Sequence, residues 1–151
     1  MPTEKLKPTA RVIRGTKTTA LDVFGVRVTV LGGAAETAGA FSLARIVCPR
    51  GAGAPPHTHP ETEHFQVLRG QVTVQLEDQT LELYPGDTVH IPSGLPHSFT
   101  CTAGAEAEFV AVASPAGHED FFREADELAR SGQFNPETAA ALCGRHRITL
   151  V

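Results

Sequence analysis

Three side chains able to hold a transition metal fall within seven residues: His57, His59 and Glu63, in the stretch GAGAPPHTHPETEHFQVLRG from Gly51 to Gly70. Imidazole nitrogen and carboxylate oxygen are donors for first-row divalent ions. In an extended segment His57 and His59 point to the same side, because side chains alternate with a period of two, so they form a chelating pair. Pro60 forbids helix there, and the chain must turn or advance before Glu63 can reach the same ion. Glu63 then opens a strand-like run, EHFQVL, closed by Gly70. A second stretch, GDTVHIPSGLPH from Gly86 to His97, reads as a short apolar strand and a tight turn that delivers His97 at the start of SFTCTA.

With both stretches in view the chain resembles the cupin superfamily. The family's first motif is glycine, five residues, His-x-His, three residues, glutamate, six residues and glycine, and it is met at Gly51, His57, His59, Glu63 and Gly70. The second is met at Gly86, Pro92, Gly94 and His97, while Cys101 stands where the family usually has asparagine. The two motifs cover the middle third of the chain. The resemblance implies an all-β fold, a double-stranded β-helix or jelly-roll barrel, with one divalent ion per chain held by His57, His59, Glu63 and His97. Among cupins, HTHPETEHFQVLRG, GDTVHIPSGLPHSF and the trailing SPAGHEDFFREADE look most like the quercetin-dioxygenase-like monocupins. That likeness implies a metal binding a deprotonated enol or catechol oxygen beside dioxygen, with Glu63 as ligand and as catalytic proton acceptor. The trailing segment departs from the pattern at His118, where an apolar residue is expected.

Three neutral imidazoles and one carboxylate leave a divalent ion with a net charge of about +1 and with open positions if it is five- or six-coordinate. A structural zinc site would be closed and rich in thiolate, and no cysteine is near these donors. Cys101 lies four residues past His97, about 13 Å along a strand. The set suits Fe, Mn, Ni, Co or Cu, and Zn is also compatible. Phe65 and Val67 share the strand face of Glu63, and Phe99 and Cys101 that of His97, so all four are expected in the pocket wall, with a small buried hydrophobe as the plainer role of Cys101. An apolar wall suits an aromatic or otherwise apolar substrate with one metal-binding oxygen and disfavours oxalate-sized dianions. His64 and His90 alternate away from the donor faces. They, His118 and His146 are read as packed or solvated side chains.

The elements that must hold these residues follow from pattern and punctuation. Strands are expected over Leu21–Phe24, Val26–Leu31, Ala40–Cys48, Val72–Leu76 and Leu81–Leu83, then around Val89–Ile91, Ser98–Thr102 and Glu108–Ala113, with a turn at Glu77–Thr80. Phe41 and Leu43 are candidates for core or pocket wall. Many short strands with no interrupting helix mean a closed sandwich or barrel. Helical spacing then places Phe121, Phe122, Ala125, Leu128 and Ala129 on one face over His118–Arg130, and Asn135 with Pro136 starts a second short helix. The tail RITLV can add a strand. The division expected is an arm at 1–19 with a possible edge strand at Val12-Ile13, a barrel at 20–115, and helices packed on it at 116–151.

A chain of 151 residues is one domain by size and can bury roughly 70% of its unfolded surface. The net charge of -4, with no run of Lys and Arg, argues against nucleic-acid binding. No apolar run approaches the ~18 residues of a membrane span, and the first residues lack the apolar centre of a secretion signal, so a cytoplasmic location is expected. Cys48, Cys101 and Cys143 are odd in number and unpaired in spacing, as reduced thiols are. Exposed barrel edges and Val12-Ile13 suggest a homodimer. Three functions share the site: a metal-dependent oxygenase on a small apolar or aromatic enol or catechol, a non-catalytic metal- or ligand-binding module, and a metal-assisted isomerase or lyase.

Overall fold

The structure is a computed structural model and describes residues 9–151. The first eight positions of the expected arm lie outside the described residues.

Among the described residues, strand-forming runs broken by glycine and proline produce eleven strands: β1 (Ala20–Val23), β2 (Val26–Gly32), β3 (Ser42–Pro49), β4 (Gly53–Thr58), β5 (Thr62–Arg69), β6 (Val72–Leu76), β7 (Gln79–Leu83), β8 (Thr88–Ile91), β9 (His97–Thr100), β10 (Glu106–Ser114) and β11 (Thr149–Leu150). They form two antiparallel sheets, ordered β1-β2-β3-β10-β5-β8 and β11-β4-β9-β6-β7. This is the jelly-roll barrel expected, with helices α2 (His118–Arg130) and α3 (Pro136–Arg145) following it. Among the described residues no helix is long and apolar enough to cross a membrane.

Alternation decides which residues fill the barrel. On β5 Glu63, Phe65 and Val67 face inward and are buried, and Val72 and Val74 on β6 do the same. Phe65, Phe99 and Phe109 meet in the interior with ring centroids 4.9–5.9 Å apart. Each such side chain contributes about 1.5–3 kcal/mol by leaving water. On β3 the inward set is Ser42, Ala44, Ile46 and Cys48. Phe41 and Leu43 are therefore on the other side, and Phe41 is 40% exposed, which corrects their expected place in core or pocket wall. Hydrophobicity favoured Phe41 and Leu43, but the register with β10, Ala44 to Ala111 and Leu43 to Val112, fixes the opposite face as the inner one.

Three local departures from these expectations occur. The loop after β2 contains one turn of helix, α1 (Ala34–Thr37), where a strand-only barrel was expected. The turn after β6 is tighter than expected, since Leu76 pairs with Gln79 and Glu77 takes φ 51°. Val12 and Ile13 form no strand here; they are 75% and 40% exposed.

Helix α2 lies across the mouth of the barrel and is fastened at both ends. Asp126 accepts a hydrogen bond from the backbone of Asp22 in β1 at 2.9 Å and one from Arg130 Nε at 2.6 Å. At the other end, buried Glu119 accepts from the backbone N–H groups of Ala34 and Gly117, both at 2.8 Å. The helix thereby enters the space above the metal motifs with His118 as its first residue. Helix α3 starts at the expected cap, Thr138 donating its backbone N–H to Asn135 Oδ1 at 2.9 Å.

Candidate metal centre

The two motif stretches meet in space because β4 and β9 pair antiparallel with His57 directly opposite His97. Gly53 permits this approach: a Cβ there would sit 2.1 Å from the Phe99 carbonyl oxygen. His59 lies one residue past the end of β4, where its carbonyl accepts from Gly94, a glycine at φ +78° in the turn that leads to His97. Glu63 comes from β5 in the other sheet, so the cluster spans the two sheets at the barrel mouth.

All three histidines are held by the same device. His57 Nδ1 lies 2.7 Å from the Pro55 carbonyl, His59 Nδ1 3.0 Å from that of Glu61, and His97 Nδ1 2.8 Å from that of Leu95. A carbonyl only accepts, so each Nδ1 carries a proton, and in the neutral ring Nε2 then keeps its lone pair. The rings stand 4.3–5.3 Å apart between centroids, with donor atoms of all three close enough to share one ion. Nε2 of His59 and of His97 are buried with no hydrogen-bond partner. Buried acceptors left unpaired cost free energy, and a divalent ion is the partner that satisfies three converging imidazoles at once. The residues present thus fit the metal that the sequence implies.

Charge in the cluster is divided by surroundings. Burial pushes the His57 pKa down to about 4, helped by the neighbouring His97 and His59. Burial likewise lowers His97. For His59 burial works against the charged form, but Glu63 and Glu61 outweigh it and its pKa is raised. For Glu63 burial is again the largest influence, pushing upward, yet His59 and His118 together hold the carboxyl below its ordinary value. At neutral pH the site therefore offers an ionised carboxylate and imidazoles that need no proton removed at His57 and His97.

His118 is the residue that sequence reasoning missed. Expected as packed or solvated, it is buried against the donors, with Nδ1 3.4 Å from Glu63 Oε2 and Nε2 3.6 Å from Glu61 Oε2. His59 Nε2 lies 3.3 Å from the same Glu63 oxygen. His59, Glu63 and His118 form a second group with metal-ligand spacing, joined to the first through His59. The signal was present in the chain as the one departure from the apolar pattern of the trailing segment. His64 and His90 face away from the cluster as expected, opposite each other on β5 and β8 with centroids 6.0 Å apart.

Above the donors lies a cavity of about 420 Å³. Its floor is His57, His59, Glu63 and His118, and its walls come from β1–β3, β10 and the two helices. Among the described residues no lysine or arginine lines it. Of the four wall residues expected, Phe99 does line it, while Phe65, Val67 and Cys101 do not and are 2%, 1% and 0% exposed. Sharing a strand face was the right geometry, but each step of two residues moves about 6.6 Å along the strand, here into the packed interior. The actual walls are Val26, Ser42, Ala44, Phe121, Phe122 and their neighbours, and Phe24 with Phe134 form the rim, their rings 5.2 Å apart.

Residues 44–113, from β3 to the end of β10, match the Cupin domain family. Barrel, motifs and converging side chains give the chain the jelly-roll architecture and the motif pattern of single-barrel cupins, which it resembles. It resembles the quercetin-dioxygenase-like members: it is 34% identical over 89 residues to quercetin 2,3-dioxygenase of Bacillus subtilis (strain 168), a match covering 58% of this chain and 26% of that protein. The chain thus aligns with about a quarter of that relative's length. Among solved structures, an RmlC-like cupin from Shewanella frigidimarina superposes with a TM-score of 0.65 at 20% identity, over 74% of this chain and 96% of the other. The polyketide cyclase of Streptomyces resistomycificus superposes with a TM-score of 0.62 at 27% identity, over 70% and 79%.

Proposed function

We propose that the protein is a metal-dependent oxygenase of the quercetin-dioxygenase-like kind, acting on a small, largely apolar or aromatic molecule that carries an enol or catechol hydroxyl. The observation that carries this reading is the cavity: about 420 Å³ of apolar wall without lysine or arginine, ending on imidazoles whose Nε2 atoms converge. His57, His59, His97 and Glu63 would hold the ion. When bound, such an ion polarises a substrate oxygen and brings it beside dioxygen. The chain supplies the rest. Phe99, Phe121 and Phe122 bind an aromatic face and exclude water, the absent cations disfavour small dianions, and the ionised Glu63 takes the proton of the substrate hydroxyl.

Oxygen uptake by iron-, nickel- and manganese-loaded protein offered flavonols, diketones and catechols tests the reading. Uptake that depends on both metal and substrate supports it; no uptake across the panel refutes it. A second reading, the same site acting as a Lewis acid in a cyclisation, isomerisation or lyase reaction, is favoured by the likeness to a polyketide cyclase, and it predicts substrate conversion without oxygen consumption. A non-catalytic module would bind these compounds and leave them unchanged. Glu63→Gln keeps one ligating oxygen and removes most of the basicity. At full metal occupancy its turnover should fall by ~100-fold or more while substrate binding persists. Near-normal turnover would exclude Glu63 as the base.

A further inference from the structure

We propose that His118 is a fifth donor to the metal centre, brought in by the first residue of α2 and oriented by Glu61. The inference rests on the metal reading of His57, His59, Glu63 and His97 and adds to it a ligand from outside both cupin motifs.

Two donors about 2.1 Å from one ion and at right angles to each other lie about 3 Å apart. Glu63 Oε2 is 3.3 Å from His59 Nε2 and 3.4 Å from His118 Nδ1, close to that spacing on both sides. His59 Nε2 makes no hydrogen bond, so the approach leaves its lone pair free for an ion. Behind His118 stands Glu61, whose buried Oε2 also has no hydrogen-bond partner and lies 3.6 Å from His118 Nε2. A metal-bound imidazole ordinarily donates its second N–H to a carboxylate or carbonyl. Glu61 stands where a small closing movement would let it accept from His118 Nε2 as the carbonyls of Pro55, Glu61 and Leu95 accept from the other three rings, with the ring turned so that Nδ1 faces the donors; the same oxygen is 3.6 Å from His59 Nδ1. The helix is not free to withdraw the residue, because Glu119 fixes the backbone on either side of His118 to the loop after β2.

With five protein donors a six-coordinate ion keeps one open position. The C-terminal helices then are part of the metal centre as well as the cavity wall, and ion and helix α2 hold each other in place.

Cobalt(II) added at one equivalent gives a direct count, since each bound imidazole contributes one exchangeable N–H proton with a large paramagnetic shift in its proton NMR spectrum. The wild-type protein should show four such resonances and His118→Phe three, the affinity for cobalt falling by about tenfold or more. His118→Asn provides the same comparison with a polar side chain if the phenylalanine variant does not fold. Three resonances in the wild type would overturn the fifth donor while leaving the metal centre standing. Failure of the wild type to bind cobalt would overturn both.

Discussion

A neutral imidazole is a ligand only if its lone pair is free and rightly aimed, and in this chain three backbone carbonyls settle both conditions for His57, His59 and His97. The same burial that keeps His57 neutral has a cost in acid. Its folded pKa is about 4, below the ordinary value of 6.5, so between these values the unfolded chain binds more protons than the folded one. For this residue stability is therefore complete above pH 6.5 and declines as the pH falls toward 4. Metal-free wild type should lose melting temperature across that window more steeply than metal-free His57→Asn; parallel curves would show that His57 is not held neutral. The four motif side chains could be singled out because their spacing is fixed by turns and strand alternation, which act locally. The place of His118 could not, since its departure from an apolar pattern marks it as unusual without saying whether the helix it starts lies at the surface or over a barrel mouth.

At the scale of elements the decisive piece is α2. Its apolar face was readable from Phe121, Phe122 and Ala125. What it covers was not readable, because that depends on Asp22 and the Gly33-Ala34 loop, both more than 80 residues away. The wall residues show the same limit: strand periodicity correctly puts Phe65, Val67 and Cys101 inside the barrel but not at which depth the cavity ends. Glu119 is the test of the fastening. Glu119→Ala leaves the N–H groups of Ala34 and Gly117 without their acceptor, at a cost of about 1–3 kcal/mol for each that stays buried, so the urea midpoint should fall. Gly33→Ala should act in the same direction, since its Cβ would lie 2.8 Å from the Glu119 side chain. Unchanged midpoints in both variants would mean that α2 is held by its Phe face and Asp126, without help from Glu119.

For the whole molecule, the two-sheet barrel puts Glu63 on one sheet and His57 and His97 on the other, with His59 just past β4, and a helical cap closes an apolar chamber above them. We propose that two such barrels pair, as the exposed Val12 and Ile13 and the open sheet edges suggest, so light scattering should give twice the chain mass; a monomer that stays folded at high concentration would contradict this. The claim on which the rest depends is that the barrel mouth holds one divalent ion through His57, His59, Glu63 and His97. Elemental analysis of purified protein tests it most directly, comparing wild type with the His57→Ala, His59→Ala double variant and with His64→Ala and His90→Ala. One equivalent per chain is expected in the wild type and in both outer-face variants, and almost none in the double variant. A full equivalent retained by the double variant would contradict the claim.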